Sequence, residues 1–540
     1  MFHPAQPGPW APRHLVGFDL RRRPHLEADV LVLGGGVAGL STALAAAEAG
    51  KEVLLLAKGS TTESNTFYAQ GGVAAVLDAP RREADDTVEL HVSDTLTAGV
   101  GLCDEAAVRD ILGAGAEAIA FLQRHGCRFD GGDGSPSLTR EGGHSARRIL
   151  HANGDATGQE VVRSMVAAAA AHPRITVIDN AFAIDLLTAN GAVVGVLYYR
   201  RNELFAALGG AVVLATGGCG RVWRETTNPA VATGDGLAMA YRAGAAIADA
   251  EFMQFHPTTL YIAGGARLLI TEAMRGEGAV LKNHDGERFM PRYHADAELA
   301  PRDVVTRAII AEIRASGFPH VWLDASHLGP AVRARFPAIA QECAKLGIDI
   351  ATQWIPVHPS AHYHCGGVAS DTRGRTALPG LWAAGEVGCT GLHGANRLAS
   401  NSILEGLVVG MRAGADAGTA GGYPGRVRGE ATPPEPAADD LDVADLSRSL
   451  RALMWRQVGI ERTGSDLATA RRSIAFWQSH QARGAFRDRG GWQLQNLLTV
   501  GALVATAAEA RTASVGTHFR SDSSGAIDRR RHVFIRPEHP

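Results

Sequence analysis

Apolar and polar positions along this chain fall into patterns that change with region. Short apolar runs closed by glycine predict buried strands at residues 28–33, 53–57 and 211–214. Stretches with apolar residues at every third or fourth position predict helices at 40–49, 86–98, 104–124, 155–171, 237–243 and 403–410. Asp155 or Thr157 is the expected cap of the 155–171 helix. Runs at 175–180, 181–188 and 193–199 read as strands, with Asn190-Gly191 as a hairpin turn. From 250 to 357 short strands and helices alternate among many ionisable residues, and beyond 442 helical spacing recurs at 445–454, 465–480 and 494–511.

The predicted fold class is therefore α/β: a split Rossmann-like domain with an inserted α+β capping domain and a C-terminal helical domain. The expected boundaries are 28–249 with 358–425 for the split domain, 250–357 for the cap and 443–540 for the helices. Residues 426–442, with Pro433-Pro434-Glu435-Pro436, read as a linker. Residues 1–27 read as a loosely attached or disordered extension, and the basic stretch 528–532 as a solvated terminus.

The first strand runs into Gly34-Gly35-Gly36-Val37-Ala38-Gly39, which fits G-x-G-x-x-G, and then into an alanine-rich helix and a second strand. In that setting the glycines permit a tight turn, and the helix N-terminus offers N–H groups to a pyrophosphate. An Asp or Glu commonly ends the second strand to hold a ribose hydroxyl, but here Lys58 stands near that point, which argues against a simple NAD site. The loop from Asn65 to Gly72 could lie along a cofactor. Arg397 to Ser402 feed the N-terminus of another helix, a second anion-binding device. Asp235 opens a helix after Thr233-Gly234 and is a candidate cofactor contact or a cap.

Composition narrows the classes. With 46% hydrophobic and 20% charged residues and a net charge of −3, the chain has no general attraction for nucleic acid or anionic membrane. No run approaches the roughly 20 apolar residues of a membrane span, and no signal peptide is legible, so a cytoplasmic protein is expected. The six cysteines lack any C-x-x-C pair and the histidines form no H-E-x-x-H, so no metal or iron–sulfur site is expected.

The ordered set GGGVAG, NTFYAQGG, ATGG, TGDG, QFHPT, TEAMRGEG, PRD, HYHCGG, GEV and GANRLASNS resembles the succinate dehydrogenase and fumarate reductase flavoprotein family, in its aspartate-oxidising branch. The resemblance covers about residues 28–520 and implies an FAD-binding domain. Where respiratory members bond the flavin to histidine, this chain has Asn65, so noncovalent FAD is implied. Where the dehydrogenases carry Phe-Gly-Gly, this chain has Glu141-Gly142-Gly143, and a carboxylate there suits a substrate ammonium.

The resemblance further implies site roles. Arg302, Arg397, His256, His362 and Thr271 would bind the two carboxylates of L-aspartate, Glu141 would orient its amine, and Glu272 would position Arg302, the implied proton donor or acceptor. FAD would contact Gly34, Gly35, Gly36, Val37, Ala38 and Gly39 at the pyrophosphate and Lys58 near the adenosine half. Asn65, Thr66, Phe67, Tyr68, Ala69, Gln70, Gly71 and Gly72 would run along the isoalloxazine, with Asp235, Glu386, Ser402 and Ile403 completing the set. His364 departs from the family's smaller residue. The implied reaction is oxidation of L-aspartate to iminoaspartate, with electrons passing to O2 or fumarate, as the first step of de novo NAD synthesis ahead of quinolinate synthase. A soluble fumarate reductase or succinate dehydrogenase flavoprotein is the alternative enzyme. A noncatalytic flavin-binding subunit is the alternative from another class.

Overall fold

The computed structural model describes all residues except 1–5, 10, 23, 133–134, 266, 420–429, 432–441, 482–485, 524–531 and 538–540. Its main sheet has seven strands in the order Ile175–Ile178, Val53–Leu56, His25–Leu33, Glu203–Leu214, Ala192–Arg200 and Phe182–Ala189, with Leu381–Ala383 beside the end of Glu203–Leu214. The strands from Ile175–Ile178 to Glu203–Leu214, and Leu381–Ala383, run parallel. The hairpin strands attach antiparallel.

Period-two alternation splits the first strand between two cores. Leu31 and Leu33 face one that also holds Leu494 to Ala508, whereas Val30 and Val32 face another that holds the Val37–Glu48 helix. The C-terminal helices Val443–Gln457, Gly464–Gln481 and Arg489–Ala510 thus share a core with the main sheet.

Helix Val37–Glu48 lies against helix Asn401–Ala417 at close range. A Cβ at Gly410 would stand 2.6 Å from Ala38 O, and one at Gly414 2.3 Å from Thr42 O. The small residues at four-residue spacing let the two helices touch backbone to backbone, and both N-termini face the same cavity.

The capping region carries its own apolar core, from Leu260 to Val357, under an antiparallel sheet ordered Met253–Leu260, Ile355–His364, Val321–Asp324, Val280–Lys282. Strand Ile355–His364 runs through the expected boundary at 357.

Several sequence expectations are corrected. Strand Glu203–Leu214 starts eight residues earlier than the apolar run suggested; Gly209 and Gly210 masked it, and Gly209 is needed because a Cβ there would meet Ala28 O and Leu31 at 2.9 Å. The predicted 104–124 helix is two, Glu105–Gly113 and Gly115–Arg124. Asp155 does not cap its own helix, Thr157–Ala171; it accepts from the N–H groups of Ala338 and Ile339, capping Pro337–Lys345 in the capping region.

The described part of residues 1–27 is packed rather than loose. Leu15, Val16, Phe18 and Leu20 bury against the hairpin strands, and Leu15 N–H donates to Asp185 at 2.6 Å. His532 is likewise anchored, with Nδ1 2.5 Å from Asp249 Oδ2. Residues 528–531 and most of the expected 426–442 linker lie outside the described residues. Glu430 and Ala431 pair with Phe18 and Asp19, and Asp442 caps the following helix. All six cysteines are free thiols, and among the described residues no helix is long and apolar enough to cross a membrane and no metal-ligand cluster exists.

Candidate active site

A cavity of about 610 Å³ runs from the glycine turn to the base of the capping region. Gly34 to Ala38, Lys58, Asn65 to Gln70, Asp235, Glu386, His362, Arg397, Ser402 and Ile403 line it. Gly39, Gly71 and Gly72 are not among its lining residues. A Cβ at Gly39 would sit 1.9 Å from Gly34 O, and one at Gly72 2.3 Å from Leu150 O. Gly34 itself has φ +122°, a conformation open to glycine.

The cavity fits a flavin dinucleotide. Helix Val37–Glu48 has Gly36 as N-cap with no capping side chain; Val37 N–H donates to Thr66 Oγ1 at 3.2 Å, and the next N–H groups of the first turn are the donors left for a pyrophosphate. Helix Asn401–Ala417 likewise lacks a side-chain cap, because Ser400 sits at φ +61° and turns its hydroxyl elsewhere. Gln70 Oε1 and Thr216 Oγ1 are buried without partners, as expected of groups that await a ligand.

Lys58 Nζ donates to Asp235 Oδ2 at 2.7 Å, Thr233 Oγ1 at 2.5 Å and Val231 O at 3.1 Å. Burial lowers its pKa, against the pull of Asp235. The lysine that replaces the usual acidic residue thus brings a carboxylate from another element, and Asp235 also accepts from Asn496 at 2.8 Å. Asn65 Nδ2 donates to Glu386 Oε2 at 2.8 Å, and the His364 backbone N–H to Glu386 Oε1 at 3.0 Å. The His364 ring is buried with Nε2 2.9 Å from Ala250 O.

Glu141, His256, Thr271, Glu272 and Arg302 lie off the cavity wall, in a buried cluster continuous with its Arg397 and His362 end. Arg302 opens helix Arg302–Ser316 and donates from Nε to Glu272 Oε2 at 2.6 Å. Its Nη1 donates to Gln254 Oε1 at 3.1 Å, and Arg397 Nε donates to the same oxygen at 3.2 Å. Gln254 was not singled out in the sequence, although its place two residues before His256 on one strand puts both side chains on one face.

The antiparallel pairing of Met253–Leu260 with Ile355–His364 brings His256 and His362 together, ring centroids 5.2 Å apart. Burial first, then neighbouring guanidinium groups, holds both imidazoles well below the ordinary histidine range. They are neutral donors at pH 7. Thr258 N–H donates to His256 Nδ1 and Thr227 Oγ1 lies 2.9 Å from His362 Nδ1. Thr271 caps helix Glu272–Gly276 by accepting from Ala273 N–H, which leaves its own hydroxyl proton to give.

Arg397 is pulled down to about 10, by burial and then by Arg302. Two guanidinium groups share this pocket, and Glu272 is committed to one of them.

Glu141 reaches the cluster on a loop that a buried ion group secures: Arg148 pairs with Asp86 at 2.8 Å and Asp94 at 2.6 Å. His144 Nε2 adds a contact to Ala399 O at 2.9 Å. Ser400 Oγ donates to Glu141 Oε2 at 2.6 Å. A Cβ at Gly142 would stand 2.3 Å from Glu272 Oε1, so the glycine lets the Glu141 loop close onto the carboxylate that holds Arg302.

Fold and site define an FAD-dependent oxidoreductase. Residues 29–403 match the FAD binding domain family, and 447–534 the fumarate reductase flavoprotein C-terminal family. The chain is 44% identical to L-aspartate oxidase of Streptomyces coelicolor over 95% of this chain and 92% of that one. It is 47% identical to L-aspartate oxidase of Mycobacterium tuberculosis over 92% of each. Among solved structures, E. coli quinol fumarate reductase FrdA matches with TM-score 0.84 at 31% identity, covering 93% of this chain and 92% of that one. Mycobacterium smegmatis Sdh1 matches with TM-score 0.81 at 31% identity, covering 96% and 95%. The chain belongs to the L-aspartate oxidase family of FAD flavoproteins.

Proposed function

We propose that this chain oxidises L-aspartate to iminoaspartate with noncovalent FAD. Glu141 carries the proposal. A pocket made only of donors suits a plain dicarboxylate such as succinate, whereas a second buried carboxylate, Glu141, besides the Glu272 that holds Arg302, suits a dicarboxylate that also bears an ammonium. That feature favours aspartate oxidation over the fumarate reductase reading.

In this assignment Arg397 and His362 hold one substrate carboxylate, and His256 and Thr271 hold the other. Glu141 pairs with the α-ammonium and sets the Cα–H bond toward the cavity. The ammonium proton passes to the Glu141 carboxylate that pairs with it, and Arg302, its Nε fixed by Glu272, is the assigned proton donor in the fumarate-reducing direction. When bound, FAD supplies the two-electron acceptor for that bond. The electrons then pass to O2, giving hydrogen peroxide, or to fumarate, giving succinate. Gly34 to Gly39 and the first N–H groups of the Asn401–Ala417 helix, with Ser402 and Ile403, would hold the cofactor's anionic and carbonyl groups; Lys58 and Asp235 would serve its adenosine half, Asn65 to Gly72 its ring system and Glu386 a ribityl hydroxyl.

The product imine is labile in water, so we assign handover to quinolinate synthase and a cytoplasmic place at the start of NAD synthesis. The division into flavin, capping and helical domains is part of the same proposal, supported by the separate core of the cap. The test is product analysis: the FAD-loaded protein in air should convert L-aspartate to peroxide, oxaloacetate and ammonia in equal amounts. Absence of all three from flavin-loaded protein would contradict it.

A further inference from the structure

Arg397 is a fully buried cation held by neutral groups. Its Nε donates to Gln254 Oε1, its Nη1 to Ser402 Oγ at 2.5 Å, and its guanidinium carbon lies 4.4 Å from the ring centroid of Tyr363. Among the described residues it has no carboxylate partner. That suits a residue whose partner is to be a ligand, since a protein carboxylate would have to be displaced first. A cation without a partner must nonetheless be kept in place, and an aromatic face can do so without occupying any N–H donor.

Tyr363 is itself fixed from behind. Its hydroxyl donates to Glu405 Oε2 at 3.2 Å and lies 3.1 Å from His393 Nε2, which stands 2.9 Å from the same carboxylate oxygen. Thr390 Oγ1 donates to the other Glu405 oxygen at 2.6 Å. Burial alone would raise the Glu405 carboxyl, but His393, Thr390 and Tyr363 outweigh it and keep it ionised. Burial and that carboxylate push the Tyr363 phenol well above its usual value, so it stays a neutral donor. Donation to a carboxylate enriches the ring in electrons and strengthens its hold on a cation. Tyr363 also reaches the cavity wall.

We propose that Tyr363 is a positioning residue for substrate binding: its ring, anchored by Glu405 and His393, holds the Arg397 guanidinium flat at the substrate end with its remaining N–H groups free for a carboxylate. This rests on the assignment of Arg397 as a carboxylate ligand. Neutral hydrogen-bonding side chains alone would leave the guanidinium free to tilt.

The test is titration of the FAD-loaded enzyme with succinate, read as the perturbation of flavin absorbance, which needs no turnover. Tyr363→Leu should weaken succinate binding about tenfold to thirtyfold while FAD stoichiometry is kept. Tyr363→Phe, which keeps the ring, should stay within about threefold of the parent. In an Arg397→Met background, Tyr363→Leu should change the affinity by less than about twofold. Parent-like binding by Tyr363→Leu, or an equal loss in both backgrounds, would overturn the proposal alone. Parent-like binding by Arg397→Met itself would overturn the assignment of Arg397 and the proposal with it. If Tyr363→Leu fails to hold FAD, Tyr363→Phe and Glu405→Gln decide: each disrupts the hydroxyl–carboxylate anchor, so similar losses of about twofold to threefold in both support the anchored ring, and parent-like binding in both overturns it.

Discussion

Ser400 donates its hydroxyl proton to Glu141 at 2.6 Å from a left-handed backbone conformation, φ +61°. A non-glycine residue in that region carries strain, and here the strain turns the hydroxyl from the helix N-terminus toward the carboxylate. One residue thereby leaves the first helical N–H groups open to the cofactor and orients the group assigned to the substrate amine.

Glu141→Gln keeps the shape and removes the charge. Leaving a substrate ammonium without its buried partner costs about 3–5 kcal/mol. Aspartate kcat/KM should therefore fall by about two to nearly four orders of magnitude, while succinate-dependent flavin reduction or fumarate reduction stays within a few-fold. Ser400→Ala and Ser400→Gly, which differ in backbone freedom but both lose the bond, should each raise the aspartate KM about tenfold. Steady-state kinetics with both substrates checks this pair.

Gln254 Oε1 serves Arg302 and Arg397 at once. Gln254→Leu removes two hydrogen bonds to charged groups, each worth about 1.5–3 kcal/mol. Because both guanidinium groups lose their common reference, aspartate and fumarate kinetics should fall together, by about 100-fold or more in kcat/KM, with FAD content unchanged. Loss with one substrate only would contradict the shared role.

Gly39→Ala tests the cofactor cradle. The new Cβ would meet Gly34 O at 1.9 Å, backbone against backbone, in a turn that has no flexible side chain to yield. The purified variant should lack flavin absorbance yet retain the circular dichroism of the folded protein.

Acid should destabilise the fold through its buried imidazoles. Burial brings His364 and His358 down to about 4, and His256 and His362 lie well below the ordinary value. These groups are neutral when folded and take up protons when unfolded below pH about 6.5, so the unfolded state binds more protons there and stability falls with pH. For His364 the loss begins near pH 6.5 and levels off near pH 4, with a limiting slope of about 1.4 kcal/mol per pH unit. The unfolding midpoint should drop between pH 7.5 and pH 5, and His364→Gln should reduce that drop.

The sequence made the glycine turn and the strand-to-helix joins legible, and it let seven side chains be assigned to the chemistry, because each lies in a contiguous motif whose spacing is local. What joins those motifs was not. Gln254 becomes a bridge only after strand Met253–Leu260 pairs with Ile355–His364, and Ser400 meets Glu141 across 259 residues. Asp155 looked like a cap for its own helix because the helix that it does cap is 184 residues away at Ile339. The N-terminal segment was read as loose since its Pro, His and Arg content hides the four apolar residues that bury against the hairpin strands.

The central claim is that Glu141 makes this flavin site one for an amino dicarboxylate. The most direct measurement is anaerobic flavin absorbance of the purified protein on addition of L-aspartate, with succinate in parallel. Bleaching by aspartate, lost in Glu141→Gln, is the predicted result. Bleaching by succinate but not by aspartate would contradict the claim.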